Sequence, residues 1–290
     1  LASSPWQHRD DTSTRVNGQN GYCHIVCNPL YTAYFTTTAK DRLTVLDVLT
    51  NARPRRFVVN AEALSYVEAS GLSAVRCQQL APLADEVIMD EAQMQALLET
   101  HLPGLGPQQR KWLLDATAVA AYHADVEVPV VRLLVCDDAP QFTLITEELA
   151  LCWVHEGRHY KKLMPSIPYH QGLLEAFVQR FWAYYAQWLA YRKQPTPEEA
   201  RRLTEEFETL FATVTGYQAL DERIAKTRAK QRCLLMVLAH PEIPLHNNPA
   251  ELGARARVRK RDVSFGPRTH EGARAWDTIM TLAATATKLG

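Results

Sequence analysis

Acidic side chains stand at three widely separated places in the chain, where they could hold a metal cation. They are the pairs Asp10–Asp11 and Asp137–Asp138 and the single residue Glu251. The second pair ends the apolar, strand-like run "VPVVRLLVCDD" (128–138). A carboxylate at the tip of an apolar strand is costly unless a cation, hydrogen bonds or water compensate it. The alternative is that the strand surfaces there and that one aspartate caps a turn before Pro140.

Glu251 also has a purely structural explanation. In "LHNNPAELGARARVRKR" (245–261), Asn248 is a good N-cap, Pro249 suits the first helical position, and Glu251 falls at N3, as in a capping box. The two roles are compatible, because a well-fixed first turn would aim the carboxylate of Glu251. We therefore expect a helix start at Asn248 that presents Glu251 to the other acids.

The charge of the chain is balanced overall but uneven along its length. The 290 residues carry a formal net charge of zero, which gives no global attraction to nucleic acid. Between 255 and 274, however, basic residues predominate: Arg255, Arg257, Arg259, Lys260, Arg261, Arg268 and Arg274. Glu251, Arg255 and Arg259 could form an ordinary ion-pair row on one helix face. So many adjacent cations instead favour contacts to DNA phosphates.

The elements that must position these residues follow from hydrophobic periodicity. The pattern predicts a β-hairpin over 22–37 with its turn at Asn28-Pro29, and a strand buried on both faces over 128–138. The remaining predictions are a helix over 40–51, a short strand over 55–60, helices over 61–125, a helix over 145–152, a short strand or extended segment over 153–163 and helices over 169–240. This order indicates an α/β fold with two helical blocks. Aromatic residues spaced along 177–191 should pack in the core.

Composition indicates one large globular domain or two smaller ones, since 47% of the residues are hydrophobic and 22% are charged. The six cysteines lack a disulfide-scaffold spacing, no signal peptide leads the chain, and no run of about 18 apolar residues could span a bilayer. We therefore expect a reducing cytoplasm and no membrane association.

Cys152 and His155, with Cys23, His24 and Cys27, do not complete a four-ligand zinc set. Because the chain starts without methionine, we expect an internal fragment of a longer protein.

Five segments, in this order, resemble the catalytic region of the IS sixty-six type of bacterial insertion-sequence transposases. They are "DDTSTRVNG" (10–18), "VCDDAPQF" (135–142), "CWVHEGRHYKKL" (152–163), "LHNNPAELGARARVRKR" (245–261) and "EGARAWDTIMTL" (271–282), and the resemblance extends from Trp6 to Leu289. It implies an α/β fold with an RNase H-like core, that is, a mixed five-stranded sheet with flanking helices, and two largely helical insertions. It also implies a D, D, E triad, with one Asp on the first strand, one after the fourth strand and the Glu on a late helix.

Matched residue by residue, the resemblance assigns the triad to Asp10, Asp137 and Glu251. Asp10 opens an Asp-acid-Thr motif, Asp137 follows the small residue after the apolar strand, and Glu251 follows the paired asparagines. Because neighbouring strand residues point to opposite faces, only one member of each Asp pair should face the site, and the residues alone do not say which. The residues expected to shape the site are Asp11, Asp138, Trp153, His155, Arg158, Asn247 and Asn248, and those expected to bind DNA are Arg255, Arg257, Arg259, Lys260 and Arg261.

Three carboxylates suit the chemistry that the resemblance implies. Phosphodiester cleavage passes through a transition state rich in negative oxygen charge, and two divalent ions about 4 Å apart can activate the attacking oxygen and stabilise the leaving one. Mg²⁺ or Mn²⁺ would serve, because such hard cations prefer oxygen ligands. Attack by water frees a 3′-hydroxyl, which could then attack target DNA. The implied function is therefore a DDE transposase catalytic domain that cleaves and joins DNA strands.

The expected architecture divides the chain into five parts. Core parts are 1–60, 128–163 with the second Asp, and 241–290 with the Glu and the basic cluster, while 61–127 and 164–240 are helical insertions. The expected partner is double-stranded DNA, both transposon ends and target, bound by a homo-oligomer in the nucleoid of a bacterial cytoplasm. An N-terminal DNA-recognition part would lie outside this chain. Two alternatives remain, an RNase H-like nuclease that does not join strands and a catalytically dead relic that binds DNA or a partner.

Overall fold

The computed structural model describes residues 6–290, and its centre is a mixed five-stranded β-sheet. The strands are β1 (Trp6–Val16), β2 (Gln19–Cys27), β3 (Thr32–Thr37), β4 (Leu133–Cys136) and β5 (Glu148–Leu151). Their order across the sheet is β3-β2-β1-β4-β5. Strands β1 and β3 each pair with β2 in the antiparallel sense, whereas β4 and β5 run parallel to β1. The chain therefore has an α/β fold, as its sequence pattern predicts.

Two hairpins build the antiparallel half of the sheet. The expected hairpin over 22–37 is present as β2–β3, and Asn28 Oδ1 accepts hydrogen bonds from the backbone N–H groups of Leu30 and Tyr31 in its turn. A second hairpin, β1–β2, turns at Asn17 (φ 50°) and Gly18 (φ 75°). Asn-Gly is the preferred pair for such a turn, because both residues tolerate positive φ. The acids at 10 and 11 thus lie within a strand and not ahead of one.

Twelve helices surround the sheet within residues 6–290. They are α1 (Arg42–Leu49), α2 (Ala61–Ala69), α3 (Ala74–Leu80), α4 (Glu91–His101), α5 (Pro107–His123), α6 (Trp153–Lys161), α7 (Pro168–Tyr191), α8 (Pro197–Phe211), α9 (Gln218–Arg228), α10 (Gln231–Leu234), α11 (Asn248–Ser264) and α12 (His270–Leu289). Short 3₁₀ turns lie at Ala81–Leu83, Pro140–Phe142 and Met236–Leu238. No strand interrupts the helices between 170 and 235.

Three local predictions from the sequence are wrong. The segment 145–152 is not a helix but contains β5, because pairing with β4 outweighs the helix propensity of its Glu and Leu residues. The segment 153–163 is not extended but forms α6. Gly157 weakens the helical pattern there, yet it is required, since a Cβ at Gly157 would lie 2.5 Å from the Trp182 ring. The segment 55–60 forms only an isolated bridge between Phe57 and Met89.

A large hydrophobic core joins the sheet to helices from the first and the second half of the sequence. The aromatic side chains of α7 are buried in it, as expected for packing residues: Phe177, Phe181, Tyr184, Trp188 and Tyr191. Trp153, at the start of α6, lies among them, with its ring centroid 5.8 Å from that of Phe181 and 5.7 Å from that of Tyr184. The helical segment 164–240 is therefore packed directly against the element that follows β5.

Helix α12 covers the edge of the sheet that β3 forms. Backbone N–H groups of Thr32, Tyr34 and Thr36 donate hydrogen bonds to side chains of α12 at 3.2, 3.1 and 2.6 Å. The acceptors, Thr285, Thr281 and Asp277, recur at four-residue steps along the helix and so match the two-residue steps of one strand edge. Edge donors that would otherwise be open to another strand are thereby satisfied. Within residues 6–290, no helix has the length and apolarity needed to cross a membrane.

Candidate active site

Sheet register brings two of the predicted acids side by side. In the parallel pair β1–β4, His8 is opposite Val135. Extending that register by two residues places Asp137, just beyond β4, beside Asp10 in β1. Residues opposite each other in a sheet point to the same face. The side chains of Asp10 and Asp137 therefore share a face, although 127 positions separate them in the sequence.

The same face is covered by α11, which carries Glu251. Ile25 is the partner of Asp10 in the β1–β2 ladder. Gly253 lies against Ile25 so closely that a Cβ at this position would lie 2.9 Å from the Ile25 Cγ2 atom. Ala250 and Ala254 are also buried, so small residues seat the first half of α11 on the sheet. Glu251 is thus held over the strand that carries Asp10.

The charges of neighbouring acids act on the carboxyl group of Asp10. The pKa of Asp10 is raised to about 7, first by burial and then by the negative charges of Asp137, Asp11 and Glu251. The pKa of Asp137 is also raised, chiefly by burial, while the neighbouring His155 opposes that shift. Buried acids that share one site disfavour each other's ionisation unless a cation compensates them. Carboxylate oxygens are the donors that a hard divalent cation prefers. Within residues 6–290, however, the potential ligand atoms that lie within 4.8 Å of one another are those of Cys152, His155 and Glu251.

The second member of each Asp pair has its own partner elsewhere. Asp11 accepts a hydrogen bond from Gln141 Nε2 at 2.7 Å, and its carboxylate lies 3.4 Å from Lys40 Nζ. Asp138 forms an ion pair with Lys230, which lies just before α10. Neither Gln141 nor Lys230 is among the residues that the sequence predicts for the site. Their contribution depends on long-range packing, which leaves no local signal.

The start of α11 differs from the predicted capping box. Asn247 occupies the N-cap position, but its side chain makes no capping hydrogen bond. Glu251 is the fourth helical residue. Asn247 is fully buried, and its side chain binds strand β1 instead. Its Nδ2 donates to the backbone oxygen of Arg9 at 2.7 Å, and its Oδ1 lies 3.0 Å from His8 Nδ1. Asn248 is exposed at the helix start. Asn247 therefore anchors α11 to β1, beside Asp10.

Glu251 is directed toward α6 as well as toward the sheet. Its Oε2 atom accepts a hydrogen bond from Arg158 Nη2 at 3.0 Å, and its Oε1 atom lies 3.7 Å from His155 Nδ1. Oε1 is buried and accepts no hydrogen bond from any residue within 6–290. A buried carboxylate oxygen without a hydrogen bond is unfavourable. A cation between Glu251 and the two aspartates would satisfy it.

Two adjacent residues at its N-terminus, Cys152 and Trp153, fix the start of helix α6. Trp153 is buried and its Nε1–H donates to the backbone oxygen of Leu234 at 2.9 Å. The backbone N–H of Asn247 donates to Cys152 Sγ at 3.2 Å. Trp153 thus shapes the site through packing and is not accessible to DNA. His155 and Arg158, one turn apart, are the α6 side chains that reach Glu251.

The basic cluster of α11 divides into exposed and buried members. Arg255 and Arg259 are exposed, as DNA contacts require. Arg257 is 1% exposed, and its guanidinium lies 3.2 Å from Asp277 and donates to Thr36 Oγ1 at 2.8 Å. The prediction that Arg257 binds DNA is therefore wrong for this structure, because the side chain joins α11 to α12 and the sheet.

Two further cations of this cluster are partly engaged within the protein. Lys260 lies over the Trp276 ring, with 5.2 Å between Nζ and the ring centroid. Arg261 Nη1 donates to the backbone oxygen of Ser13 at 2.7 Å. Both side chains are half-buried, so they offer less of their charge to solvent than Arg255 and Arg259 do.

Comparison with known proteins identifies the family of the chain. The model of the Transposase IS66 family matches residues 76–275, more than two-thirds of the chain. The match includes Asp137 and Glu251, whereas Asp10 lies ahead of it. The chain is also 29% identical over 307 residues to an uncharacterized protein, y4jO, of Sinorhizobium fredii, with 100% of this chain and 89% of that protein covered. No solved structure matches the chain at the significance required. On the family match, the chain is a member of the Transposase IS66 family.

Proposed function

We propose that this chain is the catalytic region of a DDE transposase with an RNase H-like core. The observation that supports the proposal is that the register of β1 and β4 places Asp10 and Asp137 on one face of the sheet, which α11 covers with Glu251 in its first turn. An acid on the first strand, an acid after the fourth strand and a glutamate on a late helix agree with the arrangement that such a core requires. Family membership supports a transposase-related function.

The residues that would hold the metal are Asp10, Asp137 and Glu251. Their donor atoms are carboxylate oxygens, which fit Mg²⁺ or Mn²⁺, and the unpaired Oε1 of Glu251 supplies a free ligand position. A pair of such ions, when bound, activates the attacking oxygen and stabilises the leaving one. The protein's own contribution is to bury the acids and hold them on a rigid strand and a helix seated by Gly253 and Asn247.

Exposed basic residues would bring DNA to these acids. Arg255 and Arg259 lie one and two turns beyond Glu251 on the same helix, and both are exposed. Contacts of this kind bind phosphates irrespective of base sequence and set the register of a duplex. We propose double-stranded DNA, at transposon ends and target, as the partner. We also propose a homo-oligomer on DNA as the active species, which the family resemblance implies.

Isosteric substitution of the acids tests the proposal. Asp10→Asn, Asp137→Asn and Glu251→Gln should each abolish Mn²⁺-dependent cleavage of DNA carrying the element's ends and leave DNA affinity nearly unchanged. The amides keep the size of the side chains but lose the charge that holds a cation. Glu271→Gln, in the exposed first turn of α12, is the matched control and should cleave normally.

Two outcomes bear on the alternatives. Full cleavage by the Glu251→Gln protein would overturn the assignment of the triad. Products in which the freed 3′ end is joined to target DNA distinguish a transposase from a nuclease. Cleavage without any joined product would favour the RNase H-like nuclease.

A further inference from the structure

Both oxygens of the Glu251 carboxylate meet α6, and a single arginine organises the contact. Arg158 Nη2 donates to Oε2 at 3.0 Å. The other terminal nitrogen of the same guanidinium, Nη1, lies 3.1 Å from His155 Nε2. The second ring nitrogen of His155, Nδ1, lies 3.7 Å from Oε1. Arg158, His155 and Glu251 therefore form a closed three-residue cluster, which we call the α6 clamp.

The hydrogen-bonding roles in the clamp follow from the chemistry of arginine. A guanidinium can only donate, so Nε2 of His155 must accept, and the proton of a neutral imidazole must lie on Nδ1. That N–H then faces Oε1 of Glu251. The potential ligand atoms of Cys152, His155 and Glu251 also lie within 4.8 Å of one another, which by donor type could suit a transition metal. That site would need a free lone pair on Nδ1, which the contact with Arg158 removes.

The two charged side chains of the α6 clamp differ in their exposure to solvent. The side chain of Glu251 is 13% exposed, whereas that of Arg158 is 43% exposed. Solvent, or a phosphate, can therefore reach the guanidinium of Arg158 while Glu251 stays largely buried. Arginine can bind phosphate through two parallel hydrogen bonds. The two terminal nitrogens that would make them are the ones that Arg158 now directs to Glu251 and His155.

We propose that Arg158 is a phosphate-responsive positioning residue that withholds Glu251 from the metal site until DNA is bound. Without DNA, the α6 clamp neutralises the carboxylate and lowers its affinity for a cation. A DNA phosphate that takes the guanidinium frees Glu251 to join Asp10 and Asp137. DNA binding and metal binding then favour each other, and this coupling must be reciprocal. The inference rests on the proposed function, because it assumes that Glu251 is a metal ligand.

The test is the effect of DNA on Mn²⁺ affinity. Free Mn²⁺ is measured by electron paramagnetic resonance during titration of the protein, with and without a short duplex of arbitrary sequence, after subtraction of Mn²⁺ bound by the duplex alone. For the wild-type protein we expect the duplex to tighten Mn²⁺ binding about tenfold, within the usual range for coupled sites. For Arg158→Ala and Arg158→Gln we expect tighter Mn²⁺ binding without DNA and no further gain with it. Arg158→Lys, which keeps the charge but cannot hold both partners, should retain only part of the coupling.

Arg255→Ala is the matched control, because it removes one exposed cation outside the clamp. It should weaken DNA binding and yet keep the full tenfold coupling. Coupling in Arg158→Ala and Arg158→Gln equal to that of the wild-type would overturn the inference. If the wild-type binds no Mn²⁺ beyond the Asp10→Asn protein, with or without DNA, the proposed metal site itself fails. Melting curves show whether Arg158→Ala and Arg158→Gln are folded, and one folded variant of the two suffices for the comparison.

Discussion

Gly253 packs so closely on Ile25 that an added Cβ would lie 2.9 Å from the Ile25 Cγ2 atom. Ile25 is opposite Asp10 in the β1–β2 ladder, so this contact sets the height of α11, and hence of Glu251, above the strand that carries Asp10. A larger residue at 253 would have to lift the helix. The stability of the protein and the geometry of its acids therefore depend on the same contact.

Gly253→Ala should destabilise the protein even though alanine is the better helix former. Overpacking typically costs about 1–3 kcal/mol, against roughly 1 kcal/mol gained in helix propensity. We expect a net loss of free energy of unfolding and a larger loss of Mn²⁺-dependent cleavage. Ile25→Ala should relieve the clash, so chemical denaturation of the single and double mutants should reveal coupling of about 1 kcal/mol or more.

Gly172→Ala is the control for this experiment. Gly172 lies in α7, and a Cβ there would meet no atom within 4 Å. Its replacement should stabilise the protein by up to about 1 kcal/mol. If Gly253→Ala stabilised the protein equally, close packing on Ile25 would not be what requires glycine.

Asp10 should make the metal-free protein less stable as the pH rises. Its folded pKa is about 7, above the ordinary value of 3.8, so the folded protein binds this proton more tightly than the unfolded chain does. The resulting stability is fully present below about pH 4 and is lost as the pH rises to about 7. Asp10→Asn removes the titration and should be more stable than the wild-type at pH 8, by on the order of 1–3 kcal/mol.

Denaturant unfolding of both proteins between pH 4 and pH 8, in a chelating buffer, measures this difference. Saturating Mn²⁺ should then raise the stability of the wild-type at pH 8 and have little effect on Asp10→Asn, since a ligand stabilises only the state that binds it. A constant difference in stability across the pH range would contradict the raised pKa of Asp10.

Only one aspartate of each pair should be needed for catalysis. Asp138 is paired with Lys230 and Asp11 with Gln141, so Asp138→Asn and Asp11→Asn should retain most of the cleavage rate. Asp10→Asn and Asp137→Asn should abolish it. Single-turnover cleavage rates for the four variants, measured at saturating DNA, provide the comparison. Loss of cleavage in Asp138→Asn but not in Asp137→Asn would reverse the assignment of the second pair.

The sequence predicts the α/β class and the order of most elements but hides the central strand. Gln7, His8 and Arg9 of β1 are all buried, so its inner positions are polar and hydrophobic periodicity does not reveal it. The Asn17-Gly18 pair is the local signal that predicts the β1–β2 turn. Segments 145–152 and 153–163 were misassigned because pairing with β4 and packing of Gly157 on Trp182 are tertiary effects.

The candidate site is predictable in its residue types but not in its internal contacts. The motif order identifies Asp10, Asp137 and Glu251, while the choice within each pair depends on strand register. The contact between Arg158 and Glu251 joins residues 93 positions apart, and nothing local to either residue indicates it. The burial of Arg257 is equally hidden, because α12 supplies its partner Asp277.

Arg257 should be a structural residue whose loss mimics a DNA-binding defect. Its ion pair with Asp277 is buried, and removing one partner of such a pair typically costs about 3–5 kcal/mol. Arg257→Leu should therefore lower the free energy of unfolding strongly, whereas Arg255→Leu should change it by less than about 0.5 kcal/mol. Denaturant unfolding of both variants decides this, and equal, small effects would return Arg257 to the set of candidate DNA contacts.

Arg255 and Arg259 should account for a measurable part of the salt dependence of DNA binding. Each phosphate contact adds about one unit to the slope of log affinity against log salt concentration, because it releases condensed counterions. The Arg255→Ala/Arg259→Ala protein should bind duplexes of any sequence more weakly, with a slope reduced by about two units. Arg201→Ala, which removes an exposed cation of α8 at 74% side-chain exposure, is the charge-matched control and should leave the slope unchanged. Affinities at several salt concentrations separate the two results. An unchanged slope in the double variant would mean that DNA approaches the acids from a direction other than along α11.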